Sequence, residues 1–232
     1  MLYTGKAKKL FSTDLDNMLW VEYLDQATAL NGGKKDRVLG KAELNNQITC
    51  IIFEELANHG IKSHFVCKLS NTEQLVEGVE IIPLEVVVRN FAAGSFSKRL
   101  AIQEGLKLDV PILELYYKED ALDDPFVNED HVKFLGLATE AELVALKKAA
   151  LRINRCLIEL FDQINIRLID FKIEFGRRAD GTLLLSDEIS PDTCRLWDKQ
   201  TNEHLDKDVY RRELGDLVPV YQEVLTRLNN KK

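Results

Sequence analysis

The residues most able to do chemistry lie in one stretch, RLIDFKIEFGRRADGTLLLSDEISPDTCRLWD, residues 167 to 198. Strand side chains alternate between faces with period two, so Ile169, Phe171, Ile173 and Phe175 point one way and Asp170, Lys172 and Glu174 the other. The first set suits a core. The second sets two acids and a lysine on a face free for chemistry. Asp180 and Gly181 make a favoured two-residue hairpin turn, and closing the strands around them pairs 179 with 182 and, counting outward, Glu174 with Asp187. Like charges directly opposite on a sheet repel, and two ionised carboxylates coexist at short range only with positive charge between them. A hard cation with oxygen ligands, Mg²⁺ or a relative, would supply it. A solvated hairpin is the alternative, but Asp187 and Glu188 follow the apolar run Leu183, Leu184, Leu185, and acids at the end of a core strand favour a site.

Basic residues suited to anionic ligands lie elsewhere in the chain. In YTGKAKKLF the alternation puts Lys6 and Lys8 on one strand face, and Gly5 lets a ligand approach the backbone, although the Walker spacing of a P-loop is absent. In LEVVVRNFAAGSFSKR, Val87 and Arg89 share a face opposite Val86 and Val88. Arg89 then ends a half-buried strand beside the AAGS turn, which leads into a short helix expected to be capped by Ser95. An arginine, a hydroxyl and open helix-start amides together bind a phosphate group. In SDEISPDTCRLWD, Pro191 bends the chain and Arg195 can fold back towards the acidic face, as an ion-pair partner or as a second grip on an anionic substrate.

The elements that must position these groups follow from periodicity. Residues 1 to about 30 read as short antiparallel strands beginning with a hairpin turned at Thr4 and Gly5, followed by the polar segment NGGKKDR. Leu44, Ile48, Ile51, Ile52 and Leu56 recur at helical spacing, and that helix should stop at Gly60. Strand character returns over 61 to 90, and near 80 to 85 the chain crosses from a small N-terminal lobe, 1–82, to a larger lobe, 83–232. Residues 106 to 138 read as irregular. Thr139 with Glu142 is a capping-box signature opening a long helix through Leu160, and two helices around 209–214 and 217–228 close the chain.

Composition narrows the function classes. The 232 residues can bury a full core without disulfides, and a net charge of −7 argues against nonspecific nucleic-acid binding. No apolar run approaches a membrane span and MLYTGKAKKLF lacks the features of a signal peptide, so a cytoplasmic protein is expected. Cys50, Cys67, Cys156 and Cys194 show no ligand spacing and read as reduced thiols, and the four histidines are dispersed without a zinc pattern.

YTGKAKKLF, GKAELNNQI, PLEVVVRNFAAGSFSKR, VNEDH, DFKIEFG, SDEISPDTCRLWD and DKDVYRREL together resemble the successive signatures of the SAICAR synthetase family, over essentially the whole chain. The resemblance implies an α+β, two-lobed fold, similar to ATP-grasp and kinase-like folds, with antiparallel sheets and packed helices. It implies an ATP-dependent ligase of purine biosynthesis that joins L-aspartate to the carboxylate of carboxyaminoimidazole ribonucleotide (CAIR), with Mg²⁺, in a homodimer. By matching position it implies metal carboxylates at Glu174 and Asp187, the pair reached independently from the hairpin. It implies nucleotide contacts at Lys6, Lys8 and Lys118, with adenine near Ile81, and a ribonucleotide grip at Arg89, Ser95 and Arg195. Asp170 and Lys172 fall where the imidazole end and its carboxylate are held, as the catalytic pair. Thr4 departs from relatives that carry an acid there. The chain also ends soon after its last helix, so no additional carboxylase domain is expected. A small-molecule kinase is the rival enzyme reading, but an HRD-type loop is absent and DFK is not DFG. A nucleotide-binding module without catalysis is the third.

Overall fold

The computed structural model describes residues 1–29 and 33–231; Asn31 and Gly32 of the NGGKKDR segment lie outside them. The N-terminal run folds into the expected hairpin, β1 (Tyr3–Thr4) and β2 (Lys8–Ser12), paired antiparallel, then β3 (Met18–Tyr23), but the turn lies at residues 5–7 and Thr4, expected in it, pairs with Lys9. These join β6 (Phe65–Lys68) and β7 (Glu73–Glu77) in a five-stranded antiparallel sheet ordered β1-β2-β3-β7-β6. A separate ribbon pairs β4 (Gln26–Ala29) with β5 (Lys34–Arg37). β7 falls within the stretch expected to be strand, although EQLVE buries only Gln74 and Val76, whereas β5 is not announced by the sequence, because KKDR has no apolar position.

Between them α1 (Lys41–Asn58) places Leu44, Ile48, Ile52 and Leu56 in the main core and is followed by Gly60 at φ +70°, the left-handed residue its C-terminus predicts. The second sheet is built around β12 (Ile166–Arg177). This strand pairs antiparallel with β9 (Leu84–Phe91) and β14 (Cys194–Asp198) along its first half. Along its second half it pairs with β8 (Glu80–Ile81) and β13 (Leu183–Ser186). Beyond β9 lie β10 (Lys107–Tyr117) and β11 (Phe126–Val127). The eleven residues of β10 correct the expectation of irregular chain over 106–138. Proline has no amide to give a ladder, and the β9–β10 register shifts between Lys107 and Ile112, the interval that holds Pro111.

One face of β9 and β12 carries Val86, Val88, Phe171, Ile173 and Phe175, all buried, and α4 (Glu140–Gln163) packs on these strands. Leu143, Leu146, Ala150, Ile153, Leu157 and Leu160 form its apolar stripe. With α6 (Leu217–Asn229) against α1, this makes the main core and leaves the opposite sheet face for polar residues. The α4 capping box forms as predicted: Glu142 N–H donates to Thr139 Oγ1 at 3.2 Å, and Thr139 N–H returns to Glu142 Oε2 at 2.7 Å. Hydrogen bonds from Arg177, reinforced by the box, bring the Glu142 carboxyl down to about 2 from 4.5. A depressed carboxyl stabilises the fold above its unfolded value and loses that contribution as pH falls through its folded value. Glu142→Gln should therefore destabilise at neutral pH, and the gap from wild type should close between pH 4.5 and about 2 in urea denaturation.

Candidate active site

The polar face of the second sheet is where the chemistry-bearing side chains gather, but the hairpin does not close as counted. Glu174 pairs with Ser186, not Asp187, and Arg177 with Leu183. The loop is wider than a two-residue turn, with Arg178 N–H donating to Thr182 O and Gly181 N–H to Arg178 O, both at 2.9 Å. A one-residue slip moves a strand side chain to the other face. Asp187 escapes that fate because it lies just past β13 with φ +63°, outside the alternation. His64, with Nε2 3.2 Å from the Asp187 carbonyl oxygen, packs beside that bend. The two acids meet as expected, for a different reason.

They meet on Lys172. Its Nζ lies 2.9 Å from Glu174 Oε1, 3.3 Å from Asp187 Oδ2 and 3.2 Å from Glu85 Oε1. Lys118 bonds to Glu174, and Lys8 bonds to Asp187 and lies 3.0 Å from Glu188 Oε1. Four carboxylates thus face three ammonium groups, leaving one net negative charge. Burial favours the neutral form of Lys172, yet Glu174, Asp187 and Glu85 outweigh it and hold the ammonium charged well above its usual range; Lys8 behaves alike between Asp187 and Glu188. Burial likewise opposes ionisation of Asp187, and Lys8, Lys172 and Lys118 overcome it, holding the carboxyl below its ordinary range. The carboxylate oxygens of this centre are hard donors of the type Mg²⁺ takes.

A second cluster lies further along the same face. Arg89, expected at a strand end and in fact buried, donates through Nε to Glu114 Oε2 and through Nη1 to Asp170 Oδ2, both at 2.7 Å. Its Nη2 reaches Ser95 Oγ and Tyr116 Oη at 3.3 Å. Arg195 folds back as foreseen, with Nη1 3.0 Å from Asp170 Oδ2 and Nε 2.9 Å from Asp208 Oδ2. Burial raises the Asp170 carboxyl above its usual value despite both arginines. Ser95 does not cap its helix: α2 (Gly94–Leu100) starts after Ala93 with no side-chain cap, and Ser95 is spent on Arg89. Gly94 has φ +55°, and a Cβ there would fall 2.6 Å from Arg195 Cζ, so only glycine admits the guanidinium.

Lys6 is not on a strand with Lys8. It sits in the bend between β1 and β2, half-exposed, 2.8 Å from Asp120 Oδ1. Ile81, exposed on β8 opposite Gly176, stands at the junction of the two sheets. A cleft of about 890 Å³ is lined by Lys6, Lys8, Ile81, Arg89, Ser95, Lys118, Lys172, Glu174, Asp187 and Arg195. Of the expected site residues, Asp170 is the one behind this lining, beneath Arg89 and Arg195.

Glu85, Glu114 and His64 were missed. Glu85 is two residues before Val87 on the Arg89 face, so alternation could have named it; Glu114 was hidden because β10 was not seen. Nothing local marks His64, whose imidazole burial keeps neutral, with a pKa lowered to about 4.

The chain matches the SAICAR synthetase family model over residues 1–228. It is 68% identical over 228 residues to the phosphoribosylaminoimidazole-succinocarboxamide synthase of Enterococcus faecalis, covering 98% of this chain and 96% of the relative. The solved structure of the Ehrlichia chaffeensis synthase superposes with a TM-score of 0.96 at 46% identity, covering 98% of both chains. A SAICAR synthetase solved in complex with ADP superposes equally well, with a TM-score of 0.96 at 46% identity over 99% of this chain and 98% of that one. The chain belongs to the SAICAR synthetase family, ATP-dependent ligases of de novo purine biosynthesis.

Proposed function

We propose that the cleft joins L-aspartate to CAIR through an acyl phosphate, with the acid–lysine centre as the phosphoryl-transfer site and the arginine cluster as the ribonucleotide grip. The observation that carries this reading is the convergence of Glu174 and Asp187 on Lys172, within one cleft that also holds Arg89 and Arg195. A carboxylate is a poor electrophile. An oxygen of the CAIR carboxylate attacks the γ-phosphorus of ATP and ADP leaves; the aspartate amine then attacks the carboxyl carbon, phosphate leaves with the C–O bonding pair, and the amine loses a proton. The first step brings anion against anion, so the site must supply positive charge.

Lys8 and Lys118 would turn from their carboxylates to the phosphates, with Lys6 at the cleft edge and Ile81 beside the adenine. Lys172 would hold the reacting carboxylate, and Asp170, expected at the imidazole end but lying behind the cleft wall, would act through Arg89 and Arg195, keeping both aimed at the ribonucleotide. Glu174 and Asp187, released from those lysines, would hold Mg²⁺. When bound, the ion would neutralise the phosphates and the charge that develops during transfer. In this reading residues 1–82 form the nucleotide lobe and 83–232 the substrate lobe, and the protein is a homodimer, which sedimentation would check. No helix among the described residues is long and apolar enough to cross a membrane.

An assay with ATP, CAIR and aspartate, omitting each in turn and following both phosphate and amide product, tests the reaction; any dispensable component overturns it. Arg195→Ala should raise the CAIR KM roughly tenfold or more, the loss of charged hydrogen bonds worth about 1.5–3 kcal/mol, with ATP affinity little changed. An effect confined to ATP would mean the cleft is divided differently.

A further inference from the structure

Two motifs that carry the family resemblance, GKAELNNQI and DKDVYRREL, supply only Asp208, the partner of Arg195, to the site described so far, yet in the fold they converge on Asp192 of a third. From α1, the fully buried Lys41 donates to Asp192 Oδ2, and from α6 the Tyr221 hydroxyl donates to Asp192 Oδ1 at 2.6 Å. Lys207 approaches the same carboxylate from the other motif, but its Nζ stops 3.6 Å from Oδ2, beyond a hydrogen bond. Two ammonium groups share one carboxylate, leaving a positive charge in surplus.

Lys207 lines the cleft with its side chain only 12% exposed. Among the described residues, each other cation on the cleft wall, from Lys6 to Arg211, has a carboxylate within hydrogen-bond reach, and the Lys207 ammonium has none. Burial lowers its pKa; Asp192 and, more weakly, Glu188 oppose this, while Lys41 and Arg211 reinforce it. A desolvated cation whose nearest carboxylate lies 3.6 Å away and is hydrogen-bonded to Lys41 has hydrogen-bonding capacity left for a further anion. Its position suits a reactant that must reach Lys172: the Lys207 amide is anchored on the Pro191 carbonyl at 3.0 Å, and the neighbouring Thr193 carbonyl accepts from the Lys172 amide at 2.8 Å.

We infer that Lys207 grips a carboxylate of L-aspartate and so helps select the amino-acid substrate. The inference rests on the ligase reading above, in which ATP and CAIR occupy the two clusters already described and the dicarboxylate amine has no assigned partner. Lys207→Met should raise the aspartate KM about tenfold or more, with the KM values for ATP and CAIR within about twofold, the size expected for one charged hydrogen bond. Lys207→Arg should recover most of the loss. Succinate, the dicarboxylate without an amine, should compete with aspartate in the wild type and lose that competition in Lys207→Met. An unchanged aspartate KM, or an equal rise in all three KM values that Lys207→Arg does not relieve, overturns the inference and leaves the ligase reading standing. Wild-type turnover that needs no aspartate overturns the ligase reading, and the inference with it.

Discussion

Asp187→Asn lowers turnover roughly a thousandfold, the scale of removing one preorganised charge from a transfer site, and raises the Mg²⁺ concentration needed for half-maximal rate. The amide keeps the volume of the acid but is a weaker, uncharged ligand. Asparagine tolerates positive φ as aspartate does, so the bend at φ +63° survives. The lysines are not orphaned either: Lys8 keeps Glu188 at 3.0 Å, and Lys172 keeps Glu174 at 2.9 Å and Glu85 at 3.2 Å. Global structure should therefore persist, as judged by circular dichroism and the oligomeric state. Despite burial, Lys8, Lys172 and Lys118 hold the Asp187 carboxyl below its ordinary 3.8, so the stability it contributes is complete above that pH and lost as pH falls below it. The variant should accordingly unfold at slightly lower urea than wild type at pH 7, with the gap narrowing in acid. Full turnover at limiting Mg²⁺ would sink the assignment of this centre.

Arg89→Ala should be the most damaging single change to stability, and it should also abolish ribonucleotide binding. The guanidinium is 3% exposed and answers two buried carboxylates, Glu114 and Asp170. Removing one partner of a buried ionic network costs about 3–5 kcal/mol, because the charges left behind remain buried. Asp170 would retain Arg195 at 3.0 Å and Glu114 would retain Arg99, so the loss falls short of total collapse. Lysine should not rescue it: a single ammonium on a flexible stem cannot reproduce the fork that spans Glu114, Asp170, Ser95 and Tyr116. Thermal unfolding and CAIR titration by calorimetry measure the two effects separately. A variant that binds CAIR normally would remove Arg89 from the grip.

How much of this was legible beforehand depends on the range of the interactions involved. Period-two alternation placed Asp170, Lys172 and Glu174 together and put Phe171, Ile173 and Phe175 on the opposite side, because β12 is regular from Asp170 onward; the register against β14 shifts between Leu168 and Asp170, and Ile169, though buried, does not join the other three in the main core. The α4 capping box and the end of α1 at Gly60 were equally plain, since each is decided within a few residues. The hairpin register was not. It hung on a turn whose preferred two-residue form yielded to a wider loop, and then on a backbone angle at Asp187 that restored the carboxylate to the site.

Side-chain types and local periodicity, read alone, determined that this chain carries an acidic strand face, anion-binding lysines and arginines, and helices able to cover a core. Tertiary structure decided which of them share a cleft. It buried Arg89 between Glu114 and Asp170, separated Lys6 from Lys8, and joined Lys41 to Asp192 across 151 residues of sequence. Those pairings have no local signature, because the energy of a buried charge is set by whichever partners the packed sheets bring within about 3 Å of it.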